Sequence, residues 1–231
     1  MLIDMHGHTS GISRCSRIDY TSLVYLNKQS GYGGVVLCNH YDKSYVKDGD
    51  IIGFANRYID EYYKMKEVGD KEDFKVFFGI EITLDKYDNV HLLVYGVEPE
   101  FLLKYPDIYD YELEKIYEIV HSYGGYLVQA HPFRPEVYLL NTKYLDGIEI
   151  NCHFKKNGPH VEDVLRIAKE NNLFVTCGGD FHNDTPRSIC GIICDDNINS
   201  TSDLIKFIRT NNKKRFLVHN AFTEEPYVLI T

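Results

Sequence analysis

Short apolar runs and longer amphipathic stretches alternate along the whole chain. The strand-like runs are "MLIDMH" (1–6), "GGVVLCNH" (33–40), "KVFFGIEITL" (75–84), "VHLLVYGV" (90–97), "GYLVQAH" (125–131), "DGIEIN" (146–151) and "LFVTCGGD" (173–180), with "FLVH" (216–219) as a further candidate. They are rich in Val, Ile and Phe and are bounded by Gly, Asp or Asn, as buried strands are. Helical spacing predicts helices over 20–30, 52–68, 110–123, 159–171 and 201–210. In "HVEDVLRIAKENN", Val161, Val164, Leu165 and Ala168 fall on one helical face, and Asn171 and Asn172 supply the stop. "STSDLIKFIRTNN" offers a Ser/Thr cap before its apolar face.

Strand–helix alternation sustained over a chain predicts parallel strands covered by helices. No linker, repeat or low-complexity tract interrupts it, so residues 1–231 read as a single α/β domain. The runs at 75–84 and 90–97 are separated only by "DKYDN", which predicts a hairpin within the parallel pattern. An open doubly wound sheet would be favoured by a G-x-G-x-x-G turn after the first strand, and none is present. The polar residues favour a barrel. His6 and His8, His40, Glu81, His131, Glu149 and Asn151, and Asp180 and His182 all fall at or just inside the C-terminal ends of apolar runs. In a parallel barrel those ends share one rim, where loops and catalytic groups gather. A lone histidine at a strand end is ordinarily a hydrogen-bonded core residue; a set drawn from so many strands points to a metal site.

Composition changes this picture little. With 231 residues, 44% apolar and 26% charged, the chain has the make-up of a globular domain with a real core. No apolar run approaches the ~20 residues that span a bilayer. The N-terminus enters a strand at once and leaves no room for a signal peptide, so a cytoplasmic location is expected. A net charge of −9 argues against broad binding to duplex nucleic acid but permits a small polyanion held by local cations. Cysteines 15, 38, 152, 177, 190 and 194 form no CxxC pair, and several lie in apolar runs, where buried reduced thiols are the ordinary reading. The sequence assigns no oligomeric state.

Residues two apart on a strand face the same way, so His6 and His8 can grip one ion, and Asp180 and His182 can do likewise. Imidazole and carboxylate without thiolate suit Zn, Mn or Fe. The donors exceed what one ion uses, which indicates two or three divalent ions sharing a carboxylate. Paired ions of this kind clamp a phosphoryl group and acidify a water.

"DMHGHTS", "NH" (39–40), "GIEIT" (79–83), "VHLLVYG" (90–96), "QAHPFR" (129–134), "DGIEIN" (146–151) and "GGDFH" (178–182) occur in an order that resembles the PHP (polymerase and histidinol phosphatase) superfamily over residues 1 to about 195. The resemblance implies a distorted (β/α)7 barrel, a di- or trinuclear centre, and hydrolysis of phosphoesters. By motif position it implies that His6, His8, Glu81 and Asp180 hold one ion. Glu81 would bridge to a second, held also by His91 and His131, and His40 and His182 would hold a third. It implies catalytic roles for Asp180, His182 and Arg134, with His182 protonating the leaving oxygen. The substrate would be a small phosphorylated sugar, amino-alcohol or nucleotide. Arg134 follows a ligand by three residues and is expected at the phosphate; Arg187, in "DTPRS", could approach the same mouth.

The chain departs from that pattern at one place. Where the family completes its third site with Asp or His, this chain has Ser13 and Arg14, in "HTSGISRCSR". Arg14 could bind phosphate as a planar fork, or it and Arg17 could be solvated loop charges. Asp19 is placed to cap the helix from Tyr20. Glu149 and Asn151 read as residues that orient ligands, and His121, His153, His160 and His219 as surface histidines. The competing readings are a TatD-like or amidohydrolase-type metal hydrolase, which also begins with HxH, and a non-catalytic metal-binding domain, which the Ser13/Arg14 departure would suit.

Overall fold

A computed structural model describes residues 1–84, 86–87, 90–153, 160–182, 188–195, 197–210, 213–219 and 225–231. The first strands and helices are β1 (Leu2–Gly7), α1 (Tyr20–Gln29), β2 (Gly34–Leu37), β3 (His40–Tyr41), α2 (Ile51–Lys71), β4 (Lys75–Thr83) and β5 (His91–Tyr95). They are followed by α3 (Phe101–Lys104), α4 (Leu113–Ser122), β6 (Tyr126–Gln129), β7 (Gly147–Asn151), α5 (Val161–Asn171) and β8 (Phe174–Gly178). The chain ends with β9 (Gly191–Ile193), α6 (Thr201–Thr210), β10 (Arg215–Val218) and β11 (Tyr227–Ile230). The helix boundaries follow local chemistry. Asp19 accepts from the Ser22 N–H and caps α1, Ser200 accepts from the Asp203 N–H ahead of α6, and Asn172 ends α5 at φ 54°.

The strands lie in the order β11-β10-β9-β1-β2-β4-β5-β6-β7-β8, with β3 also paired to β4. Neighbours β1/β2, β2/β4, β6/β7 and β7/β8 are parallel, and β5 runs antiparallel to both β4 and β6. The sheet curls until its far strand returns to β1: Gly7 and Phe181 form a parallel bridge, and the Asp180 N–H donates to the His6 carbonyl at 2.9 Å. This return touches β1 only at its C-terminal end. At the other end Leu2 and Ile3 pair with β9, so the curl is closed at one rim and splayed at the other.

The curl departs from an uninterrupted β/α repeat in two places. The predicted hairpin is present as β4/β5, which removes one crossover helix. The β6–β7 connection carries a 3-10 turn, Thr142–Tyr144, among its described elements and no α-helix. β9 and β11 were not anticipated, because a three-residue run and a solvent-facing edge strand give no clear period-2 signal. Among the described residues no helix is long and apolar enough to cross a membrane.

The interior is filled by Ile3, Met5, Val35, Leu37, Phe78, Ile80, Leu93, Val128 and Ile148, all essentially buried. Where β8 meets β1 the two backbones come close, and a Cβ on Gly178 would overlap His6 Cβ and reach within 2.7 Å of Glu149 Oε1. That approach explains the first glycine of "GGDFH". Gly178→Ala should destabilise the fold by at least about 1–3 kcal/mol, the usual cost of overpacking a rigid interior, read as a lower denaturation midpoint. A midpoint equal to wild type would mean that the two strands do not meet at this residue.

Candidate metal centre

Each strand of the curl brings its polar residues to the closed rim. β1 carries His6 and leads into His8; β2 leads through Asn39 to His40 on β3; β4 carries Glu81; β6 leads to His131; β7 carries Glu149 and Asn151; and β8 leads to Asp180 and His182. β5 runs the opposite way, so its first residue, His91, reaches this rim, paired across the ladder with Thr83. All eight proposed ligands converge there.

The meeting point is the carboxylate of Glu81, which is fully buried. Its Oε2 lies 2.8 Å from His40 Nδ1, 3.3 Å from His8 Nε2 and 3.4 Å from His6 Nε2. Its Oε1 lies 2.9 Å from His91 Nδ1 and 3.1 Å from His131 Nε2. Asp180 faces the same nitrogens, with Oδ1 3.0 Å from His8 Nε2 and 3.8 Å from His6 Nε2. The His182 ring stacks on that of His8 at 4.3 Å between centroids. His40, His182, Arg134 and His91 keep 12, 13, 15 and 19% of their side chains exposed while His6, His8 and Glu81 keep none, which puts the entrance on the former side.

A surrounding set of hydrogen bonds fixes these side chains. Glu149 Oε1 sits 2.8 Å from His6 Nδ1, and its Oε2 accepts from the His131 N–H and the Asn151 amide. This carboxylate–imidazole pairing turns His6 Nε2 toward Glu81, in the way outer groups orient metal-binding histidines. Ser13 Oγ lies 3.1 Å from His8 Nδ1, donates to Asn39 Oδ1 and accepts from the His40 N–H. Ser13 thus buttresses the His8 imidazole and the His40 main chain from behind rather than standing among the inward-facing donors. Asp4 Oδ1 accepts from the N–H groups of His6 and Gly179, tying β1 to the end of β8.

His131 and Asp180 have positive φ angles of 32° and 49°. Non-glycine residues in that region cost roughly 1–3 kcal/mol each and persist where surrounding bonds over-determine them. Here the N–H of each is captured, by Glu149 and by the His6 carbonyl.

Charge is finely divided. Burial would raise the Glu81 carboxyl pKa, but His40, His6 and His91 outweigh it and hold it well below the usual range. Burial would likewise raise Asp180, and Arg134, His6 and His182 reverse the shift. Burial depresses His6, yet the carboxylates of Glu149, Glu81 and Asp180 raise it overall, and Glu81 carries His40 up to about 10. His8 and His131 go the other way, through burial and neighbouring cations, His131 down to about 3. So many imidazoles packed together cannot all be protonated.

The donor set fits divalent ions. His6/His8/Glu81, His40/Glu81/His91 and His8/His40/His182 each place their ligand atoms within 4.8 Å of one another. Two ligands at about 2.1 Å on a tetrahedral ion stand about 3.4 Å apart, within the 3.0–3.8 Å span of the separations among His6, His8, Glu81 and Asp180. Glu81 Oε2, His40 Nδ1 and His182 Nε2 are buried and make no hydrogen bond, although Oε2 and His40 Nδ1 are neighbours. Donor atoms that are close without being aligned on one another are arranged as around a shared cation.

The remaining candidates divide. One amino group of Arg134 pairs with Asp180 Oδ2 and donates to Asn151 Oδ1 at 2.9 Å, so Arg134 belongs to the cluster. Arg14 is exposed; it donates to the Ser44 carbonyl and lies over the Tyr45 ring, and its contacts are with these rather than with any of the eight ligands. Arg187 lies outside the described residues. Sequence reasoning passed over two neighbours. His153, expected on the surface, is buried with its ring 6.0 Å from that of His182. Cys15 lies on the rim; burial opposes its ionisation, but the neighbouring imidazoles of His182 and His40 bring its pKa down to about 6. The only signal for Cys15 was its place one residue past the Ser13/Arg14 departure.

No protein-family model matches the sequence, and no curated protein matches it significantly. Solved structures do match the fold. A candidate metal-dependent phosphoesterase from Bifidobacterium adolescentis superposes with a TM-score of 0.56 at 17% identity, covering 91% of this chain and 97% of that one. A two-domain protein from Bacteroides vulgatus, containing a predicted PHP-like metal-dependent phosphoesterase, gives 0.68 at 14% identity over 95% of this chain and 65% of that one. An amidohydrolase from Chromobacterium violaceum gives 0.50 at 13% identity over 79% and 88%. At these identities the likeness concerns the fold: an α/β fold with a curled sheet, shared with proteins described as metal-dependent hydrolases.

Two outcomes follow from the cluster's charge. The surrounding carboxylates push the His6 and His40 pKa values up, so a metal competes with protons there; affinity should rise with pH and binding near pH 7 should release protons. Calorimetry in buffers of different ionisation heat measures the release; binding with none would contradict the arrangement. Glu81→Gln keeps the side chain's shape but removes the shared charge, and should lower metal content by at least one ion per chain by atomic emission. Wild-type content in that variant would remove Glu81 as the bridge.

Proposed function

We propose that the chain is a metal-dependent phosphoesterase of the PHP type, acting on a small phosphoric monoester. The observation that carries the reading is the convergence of five imidazoles on the two oxygens of Glu81, beside Asp180 and a half-buried arginine, at the mouth of a curled α/β sheet. We read the curl as a distorted (β/α)7 barrel, residues 1–231 as one domain, and the location as cytoplasmic.

His6, His8, Glu81 and Asp180 would hold one ion, Glu81 with His91 and His131 a second, and His40 with His182 a third, of the Zn, Mn or Fe class. Divalent ions bound there supply positive charge to a phosphoryl group and acidify a water at neutral pH. The chain's own residues then complete the site. Arg134 anchors Asp180, and its buried Nε has no hydrogen-bond partner, which leaves a donor for a phosphate oxygen. His182 sits with Nδ1 2.8 Å from the Asp180 carbonyl, which directs a proton there and leaves Nε2 to hold the third ion or, where that ion is not bound, to face the substrate. Burial lowers the His182 pKa, but Asp180 raises it overall, so a ring without an ion favours the protonated form that can protonate a leaving oxygen. A small phosphorylated molecule suits the net charge of −9, because the attraction comes from ions and Arg134 rather than from a basic surface. The likeness to an amidohydrolase favours a second reading, hydrolysis of a different bond by the same centre.

Turnover of p-nitrophenyl phosphate with and without Mn²⁺ separates these readings. The phosphoesterase reading expects Mn²⁺-dependent turnover abolished by chelation. His8→Ala and Asp180→Ala should each lower kcat/KM by about a thousandfold or more, roughly 4 kcal/mol, while circular dichroism stays native. Arg134→Ala should raise KM more than it lowers kcat. Tightly bound ions with no turnover of any phosphoester would overturn the reading in favour of an amidohydrolase or a non-catalytic domain.

A further inference from the structure

Behind the rim meet three cysteines that the hydrolytic reading does not use. Cys152 follows β7, Cys177 lies on β8 and Cys190 immediately precedes β9. All three are buried, and their sulfurs lie within 4.8 Å of one another. Cys152 and Cys177 are 3.9 Å apart. From the geometry we infer a second metal site, a trithiolate centre for one soft divalent ion of the zinc class.

Thiolates at about 2.3 Å on a tetrahedral zinc stand about 3.8 Å apart. One edge of the triangle is already at that spacing, and the others need to contract by at most about 1 Å. The supporting backbone is held independently of the sulfurs. Cys152 N–H donates to the Gly178 carbonyl, and Ile150 and Cys177 are register partners in the β7/β8 ladder. Cys190 is clamped through its main chain, its N–H donating to Tyr32 Oη and its carbonyl accepting from the same hydroxyl. The thiols arrive from three separate segments, which a lone packing thiol does not require.

The surroundings suit a thiolate. The neighbouring thiols of Cys177 and Cys190 bring the Cys152 pKa down, while burial pushes Cys177 and Cys190 up. The Cys177 thiol donates to the Leu217 carbonyl at 3.5 Å, and an ion that takes three thiolates would displace the thiol protons. The fourth position would fall to a water. Soft sulfur donors favour soft ions such as cadmium over the Mn or Fe that the imidazole–carboxylate rim also suits, so the two sites can be loaded separately. The site would also join the β7–β8 wall to β9. Cys190 Sγ lies 3.7 Å from where a Cβ on Gly179 would be, one residue before Asp180.

The test is cadmium titration of the reduced, chelator-stripped chain carrying Cys15→Ser, which removes the exposed thiol, followed by the sulfur-to-cadmium charge-transfer band in the ultraviolet. The band should saturate at one equivalent with the intensity of three sulfur ligands. It should persist when His8→Ala is added, and fall to background when Cys152→Ser or Cys190→Ser is added. Absence of the band in the folded Cys15→Ser chain at excess cadmium overturns the site, and so does a full band in both triad variants. The first of these needs no buried variant to fold. Neither depends on whether the rim hydrolyses phosphoesters.

Discussion

A fully buried carboxylate ringed by imidazoles is the constraint on which this structure turns. An ionised carboxyl in a dry interior is tolerated only when its charge is compensated and its lone pairs are engaged. Glu81 meets five ring nitrogens, three on one oxygen and two on the other. Protons alone compensate this cluster poorly, because each proton on one ring opposes a proton on the next; His6 and His40 are pushed up while His8 and His131 are pushed down. Divalent ions resolve the conflict by supplying positive charge at points that several rings share.

The rest of the rim serves that convergence. The sheet has to close where Asp180 and His6 meet, and it does so through a glycine with no room for a side chain, a carboxylate from Asp4, and a bridge to Gly7. Of the described non-glycine residues with positive φ, His131 and Asp180 lie among the converging donors. Outer groups then fix ring orientation, Glu149 for His6 and Ser13 for His8. Reversal of β5 brings His91 to the rim from the start of a strand rather than its end.

Much of this could be read in the chain. Apolar runs with chemistry at their ends located β1, β2 and β4 to β8, and spacing alone placed His6 beside His8 and Asp180 beside His182. The less legible parts depend on tertiary packing. Position three residues after His131 singled out Arg134, which pairs with Asp180, whereas nothing local decided between site and surface for Arg14, which rests on Tyr45. Ser13 looked like a missing ligand and is a buttress, because a hydroxyl's role depends on which ring stands in front of it. His153 looked like a surface residue and is buried beside His182, since loop histidines carry no periodic signal. The three inner cysteines read singly as core thiols, and only the curl brings them together.

Anomalous diffraction from crystals grown with Mn²⁺ tests the central claim most directly. The account predicts at least two peaks bridged by Glu81, one also bounded by His6, His8 and Asp180 and the other by His91 and His131. Well-ordered crystals in which these side chains bond only to one another and to water, at saturating Mn²⁺, would contradict it.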